Sequence, residues 1–105
     1  MNAQCSDAMI DTLLSHLRVG KNNAISRDKL AMEMQMSDRA VRNLIEKARN
    51  EGWFIMNSQD GSGYYLSSDI EDIARQYRQD TNRALAILKR RKHMRRVLKE
   101  AGIRI

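Results

Sequence analysis

From Tyr64 to Ala101 the chain contains neither glycine nor proline, and proline is absent throughout. These two residues are the strongest helix breakers. Ile70, Ile73, Ala74, Tyr77, Thr81, Ala84, Ile87, Leu88, Met94, Leu98 and Ala101 recur at helical spacing. Ser68-x-x-Glu71 has the form of a capping box, and Asp69, Glu71 and Asp72 stand where a helix dipole favours acids. The spacing predicts a helix of some 30 residues, about 45 Å long. A chain of 105 residues builds too small a body to cover such a helix along its length. The expected division is therefore a packed domain over 1–67 and a long helix over 68–105.

The charge divides in the same way. Lys plus Arg is 19 and Asp plus Glu is 13, a net +6. Residues 89–105 hold Lys89, Arg90, Arg91, Lys92, Arg95, Arg96, Lys99 and Arg104 against the single acid Glu100, a balance of +7. The rest of the chain is close to neutral. A neutral body with a basic end points to an anionic partner.

The body reads as alternating short elements. Asp7 is a cap candidate for a helix over Ala8–Leu17, with Met9, Ile10, Leu13, Leu14 and Leu17 on its apolar face. Arg18–Asn23 reads as a loop, and Ile25 as a very short strand. Ser26 caps a helix over Arg27–Met34, with Leu30, Ala31 and Met34 inward. Ser37 caps a helix over Asp38–Asn50, with Val41, Leu44, Ile45 and Ala48 inward and Gly52 as the left-handed residue past its end. Trp53–Asn57 and Tyr64–Ser67 are β-rich runs around the turn cluster Ser58–Gly63, which predicts a hairpin. Trp53, Ile55, Tyr64 and Leu66 are expected to face the core.

This order resembles a winged helix-turn-helix DNA-binding domain of the biotin-operon-repressor-like subgroup. The resemblance rests on Ile25-Ser26-Arg27-Asp28-Lys29-Leu30-Ala31, Met36-Ser37-Asp38-Arg39-Ala40-Val41-Arg42, Ile45, Glu51-Gly52-Trp53-Phe54-Ile55 and Gly63-Tyr64-Tyr65-Leu66. It covers roughly residues 8–67. The small size and basic helix are also similar to phage-encoded replication or regulatory proteins. The fold it implies is mainly α with a small β-hairpin, followed by the long C-terminal helix. The function it implies is sequence-specific binding of duplex DNA, in transcriptional regulation or replication-origin recognition, with no cofactor and no enzymatic activity.

In such a fold the third helix enters the major groove. Its outward face carries Ser37, Asp38, Arg39, Arg42, Asn43, Glu46 and Lys47. Arg39 and Arg42 suit guanine, and Asn43 suits adenine. Ser37 and Arg27, near helix starts, suit phosphate. Asp38 and Glu46 repel phosphate. The hairpin tip departs from the usual pattern, since Asn57, Ser58, Gln59, Asp60 and Ser62 include no base. Lys89, Arg90, Arg91, Lys92, Arg95 and Arg96 are expected to neutralise phosphates.

Ile70, Ile73, Tyr77, Ala84, Ile87, Leu88, Met94 and Leu98 fall on or near a heptad stripe interrupted at Asp80 and Arg91, which predicts a homodimer or higher oligomer through this helix. An alternative function is an interaction module docking an acidic or RNA-bearing partner. Adsorption to a membrane is disfavoured, because Met94, Val97 and Leu98 make a thin apolar face. No run is long enough to span a bilayer, and the start lacks the pattern of a signal peptide. The single Cys5 permits no internal disulfide, which fits a cytoplasmic setting. His16 and His93 stand too far apart to suggest a metal site, and Gly61-x-Gly63 is explained by the hairpin.

Overall fold

The computed structural model describes the backbone of residues 2–105 and the side chains of residues 8–105. The elements in chain order are α1 (Asn2–His16), a 3-10 turn (Lys21–Asn23), β1 (Ile25–Ser26), α2 (Arg27–Met34), α3 (Asp38–Asn50), β2 (Ile55–Asn57), β3 (Gly63–Leu66) and α4 (Ile70–Glu100). The chain is mainly helical, with a small antiparallel sheet and a long C-terminal helix. It divides into two units after Ile73, inside α4. The expected start at Ala8 is corrected: α1 begins at Asn2. The side chains of Cys5 and of the cap candidate Asp7 lie outside the described residues.

Local signals set α2 and α3. The Ser26 hydroxyl accepts from the Lys29 amide at 3.2 Å, and the Ser37 hydroxyl from the Ala40 amide at 3.1 Å. Each satisfies an amide that the first turn leaves unpaired. The stripe Val41, Leu44, Ile45 and Ala48 is buried. It packs with Ile10, Leu13, Leu17, Leu30 and Ile55 into one core. Burial of each larger aliphatic side chain contributes roughly 1.5–3 kcal/mol. Met9, expected on the inward face of α1, is exposed.

Three helices end alike. Past α2, the Met36 amide donates to the Ala31 carbonyl and the Gln35 amide to Met32. Past α3, Trp53 donates to Ala48 and Gly52 to Arg49; past α4, Ile103 donates to Leu98 and Gly102 to Lys99. These are Schellman caps, which need a left-handed residue. Gly52 and Gly102 supply it, but after α2 the position is Gln35, at φ 54°. An L residue held there costs roughly 1–2 kcal/mol, against a smaller entropic penalty for glycine. Gln35→Gly is therefore expected to raise the unfolding free energy by roughly 0.5–1 kcal/mol in urea denaturation. A loss of stability would show that the Gln35 side chain holds more than its backbone costs.

The sheet has the strand order β1-β3-β2. Ile25 faces Tyr64 and Ser26 faces Gly63; Ile55 faces Leu66, Met56 faces Tyr65, and Asn57 faces Tyr64. Gly63 thus belongs to a strand, not to the turn. Ile55, Tyr64 and Leu66 do lie against the core. Trp53 does not: it precedes the strand and is 47% exposed. Tyr65 and Met56, on the other side of the pleat, are buried instead. Both sides of this sheet are covered, so simple alternation fails.

The start of α4 also differs from expectation. Asp69, not Ser68, takes the cap position: its carboxylate accepts from the Glu71 amide at 3.4 Å and its carbonyl from the Ile73 amide at 3.0 Å. The Ser67 hydroxyl donates to Asp72 at 2.8 Å and accepts from the Asp69 amide, closing the entry turn. From there α4 runs 31 residues without a break, including Thr81 and Asn82. That is about 46 Å. Every residue from Tyr77 to Ile105 is exposed. Among the described residues no helix is long and apolar enough to cross a membrane.

Candidate nucleic-acid interface

Only three residues, Gln35 to Ser37, separate α2 from α3. With its apolar stripe buried, α3 turns Arg39, Arg42, Asn43, Glu46 and Lys47 to solvent. Side chains four apart line up along a helix. Two lines result. One is Arg39, Asn43 and Lys47, which contains no acid. The other is Asp38, Arg42 and Glu46, in which charge alternates.

The second line is internally satisfied. Asp38 holds two bases: Arg27 Nε lies 2.7 Å from Oδ1, and Arg42 Nε lies 3.4 Å from Oδ2. The Arg27 and Asp38 atoms in contact are shielded from solvent, and attraction between opposite charges is the main hold on the pair. The Asp38 carboxylate raises the Arg27 pKa, against the lowering effect of burial. Arg27 and Arg42, expected to offer their guanidinium groups to DNA, both stand beside Asp38. Both are already engaged by Asp38, and an incoming phosphate or base must compete with it. The Ser37 hydroxyl is likewise occupied in capping α3.

Arg49, a base of α3 that the sequence did not single out, is turned toward the sheet. Its Nε donates to the Ile55 carbonyl at 3.0 Å and its Nη2 to Asn57 Oδ1 at 3.0 Å. Its Cζ lies 5.9 Å from the centre of the Tyr64 ring. Arg49 therefore ties the end of α3 to β2 and β3. A signal existed: Arg49 continues the line Val41, Ile45 on the buried side of the helix. The hairpin tip adds no base. There the Asp60 carboxylate accepts from the Ser62 hydroxyl at 2.6 Å and the Ser62 amide at 3.0 Å, which lowers its pKa.

On α4 the bases do not form one cluster. At 100° per residue, Lys89, Lys92, Arg95, Arg96 and Lys99 fall within an arc of about 120°. Arg90 and Arg91 lie outside it, on the side that carries Ile87, Met94 and Leu98. Arg91 lines a groove of about 510 Å³ together with Met94, Leu98 and Ile105. Of the stripe residues, Ile70 is 75% and Tyr77 71% exposed, whereas Ile73 is half-buried. Ala84, Ile87, Leu88, Met94 and Leu98 are exposed.

Among the described residues no three His, Cys, Asp or Glu side chains converge as metal ligands. His16 faces Glu33 instead, with Nδ1 3.1 Å from Oε1. No family model, curated protein or solved structure matches the chain.

Proposed function

We propose that residues 8–67 form a winged helix-turn-helix unit and that the chain is a duplex DNA-binding protein acting in transcriptional regulation or replication-origin recognition. The observation that carries this reading is the acid-free line Arg39, Asn43 and Lys47. It is exposed on a helix that follows a three-residue turn and leads to a small antiparallel sheet. A major groove admits such a helix, with Arg39 reading guanine and Asn43 adenine while Lys47 meets phosphate. Arg42 contributes less than Arg39, because Asp38 draws its charge back along the helix. The five-base face of α4 supplies affinity without sequence preference.

The test begins with an unbiased selection of duplex DNA by the full chain, followed by gel shifts on the selected sequence. Arg39→Ala is expected to weaken binding by about 1–3 kcal/mol and to relax preference at one base pair. Replacing Lys89, Lys92, Arg95, Arg96 and Lys99 by Gln is expected to reduce the slope of log K against log salt by about 4. Unchanged binding after Arg39→Ala combined with Asn43→Ala would overturn the role of α3. Absence of duplex binding at low salt would overturn the function.

A second reading has its own support. The Asp38 ion pairs mask charge at the start of α3, and the hairpin tip carries no base. Both suit a protein-interaction module in which the body does not grip phosphate and the basic end of α4 docks an acidic or RNA-bearing partner. Recovery of such a partner with no affinity for duplex DNA would favour it.

A further inference from the structure

We infer that α4 pairs with α4 of a second copy of this chain, antiparallel and in one register, about a two-fold axis between Leu85 and Ala86. The inference is independent of DNA binding. It starts from the apolar stripe, which occupies alternate steps of three and four: Ile70, Ile73, Tyr77, Asp80, Ala84, Ile87, Arg91, Met94, Leu98 and Ala101. This is a heptad seam whose repeat survives two charged interruptions. The helix is unbroken across both, and the side chains from Tyr77 onward are exposed.

A second helix running the same way would set Arg91 against Arg91 of the partner subunit and Asp80 against Asp80 of the partner subunit. Two like-charge layers would then sit inside the seam. Running the opposite way, the helix has one register in which each interruption answers the other. Arg91 meets Asp80 of the partner subunit, and two-fold symmetry repeats the pair on the other side. The same register sets Tyr77 against Met94 of the partner subunit and Ala84 against Ile87 of the partner subunit. It continues outward with Ile73 on Leu98 of the partner subunit and Ile70 on Ala101 of the partner subunit. Small faces large near the axis, which suits close approach. No layer leaves a charge unanswered.

Net charge favours the same direction. Antiparallel pairing lays each basic C-terminal half beside the balanced N-terminal half, where Glu71, Asp72 and Asp80 offset Arg75, Arg78 and Arg83. A parallel pair would stack the two basic ends together. One repulsive flank remains, Arg83 beside Arg90 of the partner subunit. Both side chains are exposed and long enough to splay into solvent. Lys89, Arg96 and Lys99 fall at positions turned away from the seam, so pairing leaves them open, whereas Lys92 and Arg95 border the groove that the seam residues line.

The register makes a charge-swap test possible on the full chain, read by light scattering across a concentration series. The wild type is expected to be a dimer. Arg91→Asp alone and Asp80→Arg alone each place like charges in two layers and are expected to weaken dimerisation about tenfold or more. The double variant restores both layers and is expected to return the dimer. A monomeric wild type, or a double variant no better than either single one, would overturn the inference. In a Cys5→Ser background, Ala84→Cys with Ile87→Cys is expected to give a cross-linked dimer on mild oxidation. Failure to cross-link while the dimer persists would overturn the register.

Discussion

Replacing Gly63 by alanine is expected to destabilise the N-terminal unit by about 3 kcal/mol. The methyl carbon would stand 2.4 Å from the Ile25 carbonyl oxygen and 2.9 Å from its carbon. Those are backbone atoms of β1 and cannot swing aside as a long side chain could. Relief requires β1 to part from β3, which breaks the pairing of Ser26 with Gly63. The damage spreads, because Ser26 is also the cap of α2 and is followed by Arg27, the partner of Asp38. Thermal melting followed by circular dichroism reads the effect, at roughly 4–8 °C per kcal/mol for a unit of this size. Gly61→Ala serves as the control. A side chain there meets nothing within 4 Å, although the φ of +75° still disfavours it, so a smaller loss of about 1 kcal/mol is expected. Equal melting of Gly63→Ala and wild type would show that β1 does not approach β3 this closely in solution.

Gly63 also marks the limit of what can be read along the chain. The spans 27–34 and 38–50, their serine caps and the stripe Val41, Leu44, Ile45 and Ala48 are all legible, because each depends on residues within one or two turns. The long helix is legible for the same reason. The demand on Gly63 is set by Ile25, remote in sequence, and no local pattern reports it. The buried pair Met56 and Tyr65 is hidden by a different cause. Alternation assumes one wet face, and this sheet has none.

The candidate site divides along the same line. Exposure of Arg39, Asn43 and Lys47 follows from helix periodicity alone. The capture of Arg27 by Asp38 does not, since it depends on how α2 and α3 cross after their turn. Composition counts every base alike. Geometry separates Arg27 and Arg42, held by Asp38, from Arg49, which is turned into the fold.

That last base gives the other large effect. Arg49→Met is expected to cost about 3 kcal/mol of stability while leaving any base-reading contact of α3 in place. Hydrogen bonds to a charged group contribute roughly 1.5–3 kcal/mol each. Arg49 makes two, and only 18% of its side chain is exposed, so solvent screening is limited. The two share one guanidinium, so their worths do not add in full. Arg49→Lys is expected to recover little, because a point charge cannot span the Ile55 carbonyl and Asn57 Oδ1 as a planar fork does. Glu46→Ala serves as a contrast. Its carboxylate lies 3.6 Å from Arg49 but is 66% exposed, and a pair in that setting contributes close to nothing. Urea denaturation of the three variants separates the cases. A small loss for Arg49→Met would mean that α3 is held to the sheet by its apolar stripe alone. The expected loss would mean that a charged side chain on α3 serves the fold, by holding the end of that helix to the Ile55 carbonyl and to Asn57.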